Sequence, residues 1–151
     1  MKLNSIGTVK STRSEIKDDL WDSENSYIEL SSNFSEEALY GLNDFSHVEI
    51  IFFMDKVNPK KVVTTARHPR HREDWPKVGI FSQRAKNRPN QLGLTICKIK
   101  KVDGNKLYLE GLDAIDGSPV LDIKPWVKEF APRGKVIQPE WISELMKQYW
   151  E

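Results

Sequence analysis

The chain has 151 residues, 38% hydrophobic and 30% charged, and its 23 Lys/Arg and 22 Asp/Glu leave a net charge of +1. That balance excludes a bulk polycation and suits one globular domain, residues 1–151, large enough to need no covalent staple. The average hides a segregation, because residues 1–55 hold 4 basic against 11 acidic residues, 56–101 hold 13 against 2, and 102–151 hold 6 against 9; a basic middle between acidic flanks points to a polyanionic partner. No apolar run reaches the ~18 residues of a membrane span, and the N-terminus lacks the apolar stretch of a secretory leader. The single Cys97 excludes an internal disulfide and a Cys-rich zinc site. The expected location is the cytoplasm, without membrane or metal.

In chain order, Ile6–Lys10 and Tyr27–Leu30 alternate β-formers with polar residues and read as short strands. Asn33, with Glu36 three residues on, predicts a helix start, and Gly41 its left-handed close. His47–Met54 reads as a strand buried on both faces, since Ile50–Met54 is wholly apolar. Residues 66–77, with two prolines and six Arg, His or Lys, read as a solvated basic loop. Val78–Phe81 opens a strand and Leu94–Val102 is another, joined by the Asp103-Gly104-Asn105 turn to Lys106–Glu110. After the Asp116–Pro119 turn comes a strand over Val120–Lys124. Pro139 suits a first helical turn, and Trp141, Leu145 and Tyr149 recur every four residues, which predicts an amphipathic helix of about three turns. The resulting expectation is a mainly β fold: one small antiparallel barrel with short peripheral helices and a C-terminal helix.

Familiar catalytic patterns are missing: no nucleophile elbow, Walker loop or dinucleotide-binding glycine motif occurs. Cys97 sits mid-strand beside Ile96 and reads as a buried thiol. His68 and His71 stand among three arginines, Arg67, Arg70 and Arg72, and are too few for a metal site, which favours phosphate contact. In Gly79–Gly93, Arg84, Lys86 and Arg88 interleave with Asn87, Asn90 and Gln91; guanidinium groups pair with phosphates and stack on bases, and amides read base edges. The bland alternative is a proline-stiffened surface loop. Asp122 and Lys124, two apart on one strand, share a face and suit either a bound zwitterion or an exposed ion pair.

Two long segments carry a resemblance, Gly79-Ile-Phe-Ser-Gln-Arg-Ala-Lys-Asn-Arg-Pro-Asn-Gln-Leu-Gly93 and, after it, Leu112-Asp-Ala-Ile-Asp-Gly-Ser-Pro-Val-Leu-Asp-Ile-Lys-Pro-Trp126. They resemble the two signatures of the TsaA-like family, whose best-understood members are TrmO tRNA methyltransferases. Ile6-Gly7, Phe45-Ser46-His47 and Arg67-His68-Pro69-Arg70 extend the match over nearly the whole chain. The resemblance implies a homodimeric barrel that binds S-adenosylmethionine near the subunit interface and methylates N6 of threonylcarbamoyladenosine at position 37 of tRNA, in the anticodon loop. It implies cofactor contacts at Arg84, Leu112 and the turn Asp116-Gly117-Ser118-Pro119. At two further cofactor positions this chain departs from the family pattern, with Asp18-Asp19-Leu20-Trp21 replacing a Pro-Arg-Gln loop and Asp55-Lys56 replacing His-Gln. RNA contacts are expected from Arg67, Arg70, Lys86, Arg88 and Asn90. Asp122 is the first candidate for the base. Longer members carry a further C-terminal domain, so RNA contacts here are expected to differ. The alternative is an S-adenosylmethionine-binding barrel that acts on a small molecule or a protein, or senses a ligand, without RNA. The discriminating observation is whether the basic residues of 56–101 gather around one pocket or scatter.

Overall fold

The computed structural model describes residues 1–151. Strands β1 (Gly7–Ser11), β2 (Asn25–Leu30), β3 (His47–Phe53), β6 (Leu92–Asp103), β7 (Lys106–Glu110) and β8 (Pro119–Pro125) form a closed barrel in the order β1-β2-β7-β6-β3-β8. Every neighbouring pair is antiparallel. Closure rests on two residue pairs, Gly7 with Val120 and Thr8 with Pro119. On its other side, a Cβ at Gly7 would stand 2.6 Å from the Glu29 carbonyl oxygen of β2, so β1 approaches β2 this closely only at glycine.

Alternation decides the core. Val9, Ile28, Val48, Ile50, Leu107, Leu109 and Val120 point inward and are fully buried, as period-2 side-chain placement requires. The apolar run 50–54 follows the same rule, which corrects the two-sided expectation: Ile50 and Phe52 are buried, whereas Ile51 and Phe53 lie half-buried on the outer face. The predicted 33–41 helix is also corrected. Two 3₁₀ turns, Glu36–Leu39 and Leu42–Asp44, replace it. Ser35 rather than Asn33 caps the first, its Oγ accepting from the Glu37 amide at 3.1 Å. Gly41 does take the left-handed conformation, at φ +86°.

The basic loop is better ordered than its composition suggests. β4 (Ala66–Arg67) pairs with β5 (Val78–Gly79), and Pro69 and Trp75 are buried between. His68 donates from Nδ1 to the Trp75 carbonyl at 2.7 Å. The last helix, α1 (Glu140–Met146), is two turns rather than three. Trp75 anchors it, donating from Nε1 to Glu144 at 2.8 Å, with the Trp75 and Trp141 rings 6.3 Å apart. No helix is long and apolar enough to cross a membrane.

Candidate active site

One large cleft, about 1590 Å³, opens beside the barrel between the ends of β3 and β6, the 80–91 segment and α1. Phe52 and Ile115 contribute its barrel side, and Trp141, Ile142, Leu145 and Tyr149 the opposite wall. Close packing shapes this region. A Cβ at Gly93 would lie 2.3 Å from the Phe52 ring, so only glycine lets β6 pass over that side chain. Backbone strain gathers here too: Leu20, Arg70, His71, Asn90 and Gln91 are the only non-glycine residues at positive φ. Arg70, His71 and Asn90 line the cleft. Such conformations cost about 1–3 kcal/mol each and persist where surrounding structure enforces them, often at functional sites.

The cleft gathers the basic segment. Seven of the thirteen Lys/Arg of residues 56–101 line it, against three carboxylates, Asp18, Asp55 and Asp113. The expected residues Arg67, Arg70, Arg84, Lys86, Arg88 and Asn90 all reach it. Several are held in place. Arg84 Nη2 donates to the Leu94 carbonyl at 2.8 Å, and Arg88 Nη1 to the Gln83 carbonyl at 2.7 Å. Arg67 Nε is buried with no partner, and an orphaned donor on a cleft wall marks a place where a ligand's acceptor lowers the free energy. Two of the three amides also bind backbone carbonyls. Gln91 is buried and donates to the carbonyls of Met54 and Val57, at 3.2 and 2.8 Å, and Asn87 donates to that of Lys61 at 3.2 Å.

The acidic loop 17–22 lies at the rim. Arg70 forms a bidentate pair with Asp19 at 2.7 and 2.9 Å, and Lys86 meets Asp18 at 2.5 Å. The Asp19 hydrogen bond holds the Arg70 guanidinium above its ordinary value. Trp21 and the Asp55-Lys56 pair line the cleft, but Leu20 does not and is exposed. Of the Asp116–Pro119 turn only Ser118 lines it, buried, its hydroxyl donating to the Ile115 carbonyl at 2.8 Å. Asp116 instead accepts from the Ser11 amide at 3.0 Å. Its carbonyl accepts from Lys56 Nζ at 3.3 Å, and Gly117 supplies the turn's positive φ of +85°. Leu112 is fully buried in the barrel core.

Of the three carboxylates that line the cleft, Asp113 is the one held by two hydroxyls, and Asp122 is not among them. Asp122 pairs with Lys124 at 2.6 Å on β8, outside the cleft lining, and this contact raises the Lys124 ammonium above its ordinary value. Asp113 accepts from the Thr95 hydroxyl on one oxygen and from the Tyr149 hydroxyl on the other. Sequence reasoning passed over both Asp113 and Tyr149. The signal for Asp113 was its place at the start of the second signature, as the one charged residue in the apolar run Leu112–Ile115. Tyr149 offered only a helical repeat.

The family model for the tRNA-methyltransferase O N-terminal domain matches residues 11–131. The tRNA (adenine(37)-N6)-methyltransferase of Homo sapiens is 42% identical over 107 residues, 71% of this chain and 24% of that protein. A putative S-adenosylmethionine-dependent methyltransferase, RcsF, of Pseudomonas aeruginosa is 41% identical over 91 residues, 60% of this chain and 38% of its own. The crystal structure of TrmO from Pseudomonas aeruginosa superposes with a TM-score of 0.73 at 28% identity, covering 90% of this chain and 60% of that one. The chain thus spans about a quarter of the human relative's length. A closed six-stranded barrel, the two signatures at its cleft and these matches together show that the chain belongs to the tRNA-methyltransferase O N-terminal domain family.

Proposed function

We propose that this chain is an S-adenosylmethionine-dependent methyltransferase that methylates N6 of adenosine 37 in tRNA, the threonylcarbamoyl-modified nucleoside being the intended form. The observation that carries the reading is the clustering of the basic segment around one cleft that also holds an oriented carboxylate, Asp113. A cytoplasmic location is part of this reading. The human relative named as a tRNA (adenine(37)-N6)-methyltransferase and the bacterial one named as a putative S-adenosylmethionine-dependent methyltransferase support this reading.

The residues present fit the cofactor. Trp21, Phe52 and Ile115 offer apolar surface for its adenosine. The unpartnered Arg67 Nε and Arg84 suit its carboxylate, and Asp18 or Asp55 its ammonium. When bound, S-adenosylmethionine supplies a methyl group already activated for transfer. The chain's own part is therefore mainly positioning. Arg70, Lys86 and Arg88 at the rim hold anticodon-loop phosphates, Asn90 offers its amide to a base, and the apolar wall of α1 excludes water from the acceptor. Asp113 accepts the proton that N6 must lose.

A homodimer belongs to the same reading. Ile96, Leu94 and Leu92 project from β6 and are 49, 44 and 38% exposed. Across the register Leu94 faces Ile51 and Leu92 faces Phe53. This outer stripe adjoins the cleft through Leu92, Leu94 and Phe81, which supports a second copy seated beside the cofactor site.

The test is incubation with methyl-labelled cofactor and total tRNA from cells with and without the threonylcarbamoyl modification. Label confined to the modified pool, with tRNA affinity falling steeply as salt rises, is the expected result. Label in neither pool, with cofactor binding intact, favours the small-molecule or protein acceptor instead.

A further inference from the structure

The segment after α1 lies outside the residues that match the family model, 11–131, yet it completes the cleft. Three backbone hydrogen bonds fix it to the acidic loop: Leu20 N to Gln148 O at 3.0 Å, Trp21 N to Tyr149 O at 2.9 Å, and Asp22 N to Trp150 O at 2.8 Å. Trp150 packs edge-on against Tyr149 with centroids 5.0 Å apart. Held on both sides, the Tyr149 ring lines the cleft and its hydroxyl donates to Asp113 Oδ2, while Thr95 donates to Oδ1. A carboxylate bonded through both oxygens cannot rotate without losing a donor, and its remaining lone pairs have fixed directions.

We propose that Tyr149 is a positioning residue of the cleft, fixing the Asp113 carboxylate so that it meets the N–H of the methyl acceptor. The inference rests on the methyl-transfer reading and deepens it. As the acceptor nitrogen forms its bond to the methyl carbon with its own lone pair, the methyl–sulfur bond breaks with its electrons left on sulfur. The N–H proton passes to Asp113 and then to solvent. Burial first, and the Asp113 charge second, push the Tyr149 phenol well above its ordinary range, so it remains a protonated donor throughout. Arg84 opposes this only in part.

The test uses Tyr149→Phe, Asp113→Asn and the double variant of the full chain. Tyr149→Phe keeps the ring and its packing on Trp150, and should lower kcat about tenfold, the worth of one hydrogen bond to a charged group. KM for tRNA and the calorimetric Kd for S-adenosylmethionine should stay within about twofold. Asp113→Asn should lower kcat about a hundredfold, and the double variant should be no slower than Asp113→Asn alone, because a residue acting through another is non-additive with it. A substrate-free readout accompanies these: tyrosinate absorbance should show one phenol resisting ionisation in the wild type, absent in Tyr149→Phe and released at lower pH in Asp113→Asn. Multiplying rate effects in the double variant, or a Tyr149→Phe loss that falls wholly on cofactor affinity, would overturn the proposal. A wild-type chain that binds cofactor and methylates no tRNA would sink the activity reading instead, and the absorbance titration would still decide whether the Tyr149–Asp113 pair exists.

Discussion

Cys97 and Tyr149 show how single side chains carry pH dependence. Cys97 is 1% exposed on β6. Burial, and then the Asp113 charge, raise its thiol above the ordinary value of 9.0, and the Tyr149 phenol is raised above 10.0 for the same two reasons. Both groups keep their protons in the folded state at pH values where the unfolded chain loses them. Stability is therefore complete below about pH 9 and declines as pH rises, because unfolding then releases protons. The expected outcome is a melting temperature that is flat from pH 7 to about 8.5 and falls beyond it. Cys97→Ala and Tyr149→Phe should each flatten that fall when melts are followed by circular dichroism. Lysine deprotonation contributes equally in all three proteins, so the difference between slopes isolates the two buried groups. Identical slopes would show that neither group titrates differently on unfolding.

At the scale of elements, the acidic loop sets the charge of the cleft. Its pairs, Asp19 with Arg70 and Asp18 with Lys86, join side chains that are 30 to 50% exposed, and exposed pairs contribute only about 0–1 kcal/mol each to stability. On the proposed tRNA reading their effect on binding is larger, since each masks a cation available to RNA phosphate. The double substitution Asp18→Asn, Asp19→Asn should therefore leave the melting temperature nearly unchanged and tighten tRNA binding several-fold. The slope of log K against log salt should steepen by about 1 per cation released. An unchanged slope in a filter-binding series would show that Arg70 and Lys86 do not face phosphate. This loop also marks what the sequence could convey. Strands were legible because β1, β2, β3 and β7 alternate a buried with an outward residue, a pattern local to each strand. The basic residues of the cleft were legible because charge clusters along the chain. The pairing of residue 19 with residue 70 is set by tertiary packing, and no local pattern contains it. The same holds for Trp75, which sits in a stretch polar enough to read as solvated and is buried, with Trp141 beside it and its Nε1 hydrogen-bonded to Glu144. Asp113 and Tyr149 stand 36 positions apart, so the most informative contact of the candidate site lay beyond any motif.

For the molecule as a whole, the arrangement of apolar surface bears on assembly. A barrel has no open edge, so association must use an outer face. Most outward positions on β1, β2 and β7 are polar or amphipathic, such as Thr8, Lys10, Glu29 and Lys106. The exception is the β3/β6 face, where Ile51 faces Leu94 and Phe53 faces Leu92 across the register, with Ile96 next along β6 opposite Glu49. A contiguous apolar patch on a soluble protein marks an interaction site. In a two-fold dimer the same patch serves both protomers, so one substitution introduces two charges. Ile96 is the residue to change, since it is 49% exposed and, unlike Leu92 and Leu94, lies outside the cleft lining. Ile96→Asp should convert a dimer to a monomer in light scattering while far-ultraviolet circular dichroism stays the same, because no core contact is lost. Methyl transfer should fall with dissociation and recover at high protein concentration if the neighbouring copy completes the cofactor site. A wild-type chain that is monomeric at tens of micromolar would rule the interface out, and a dimer that survives Ile96→Asp would place it on another face.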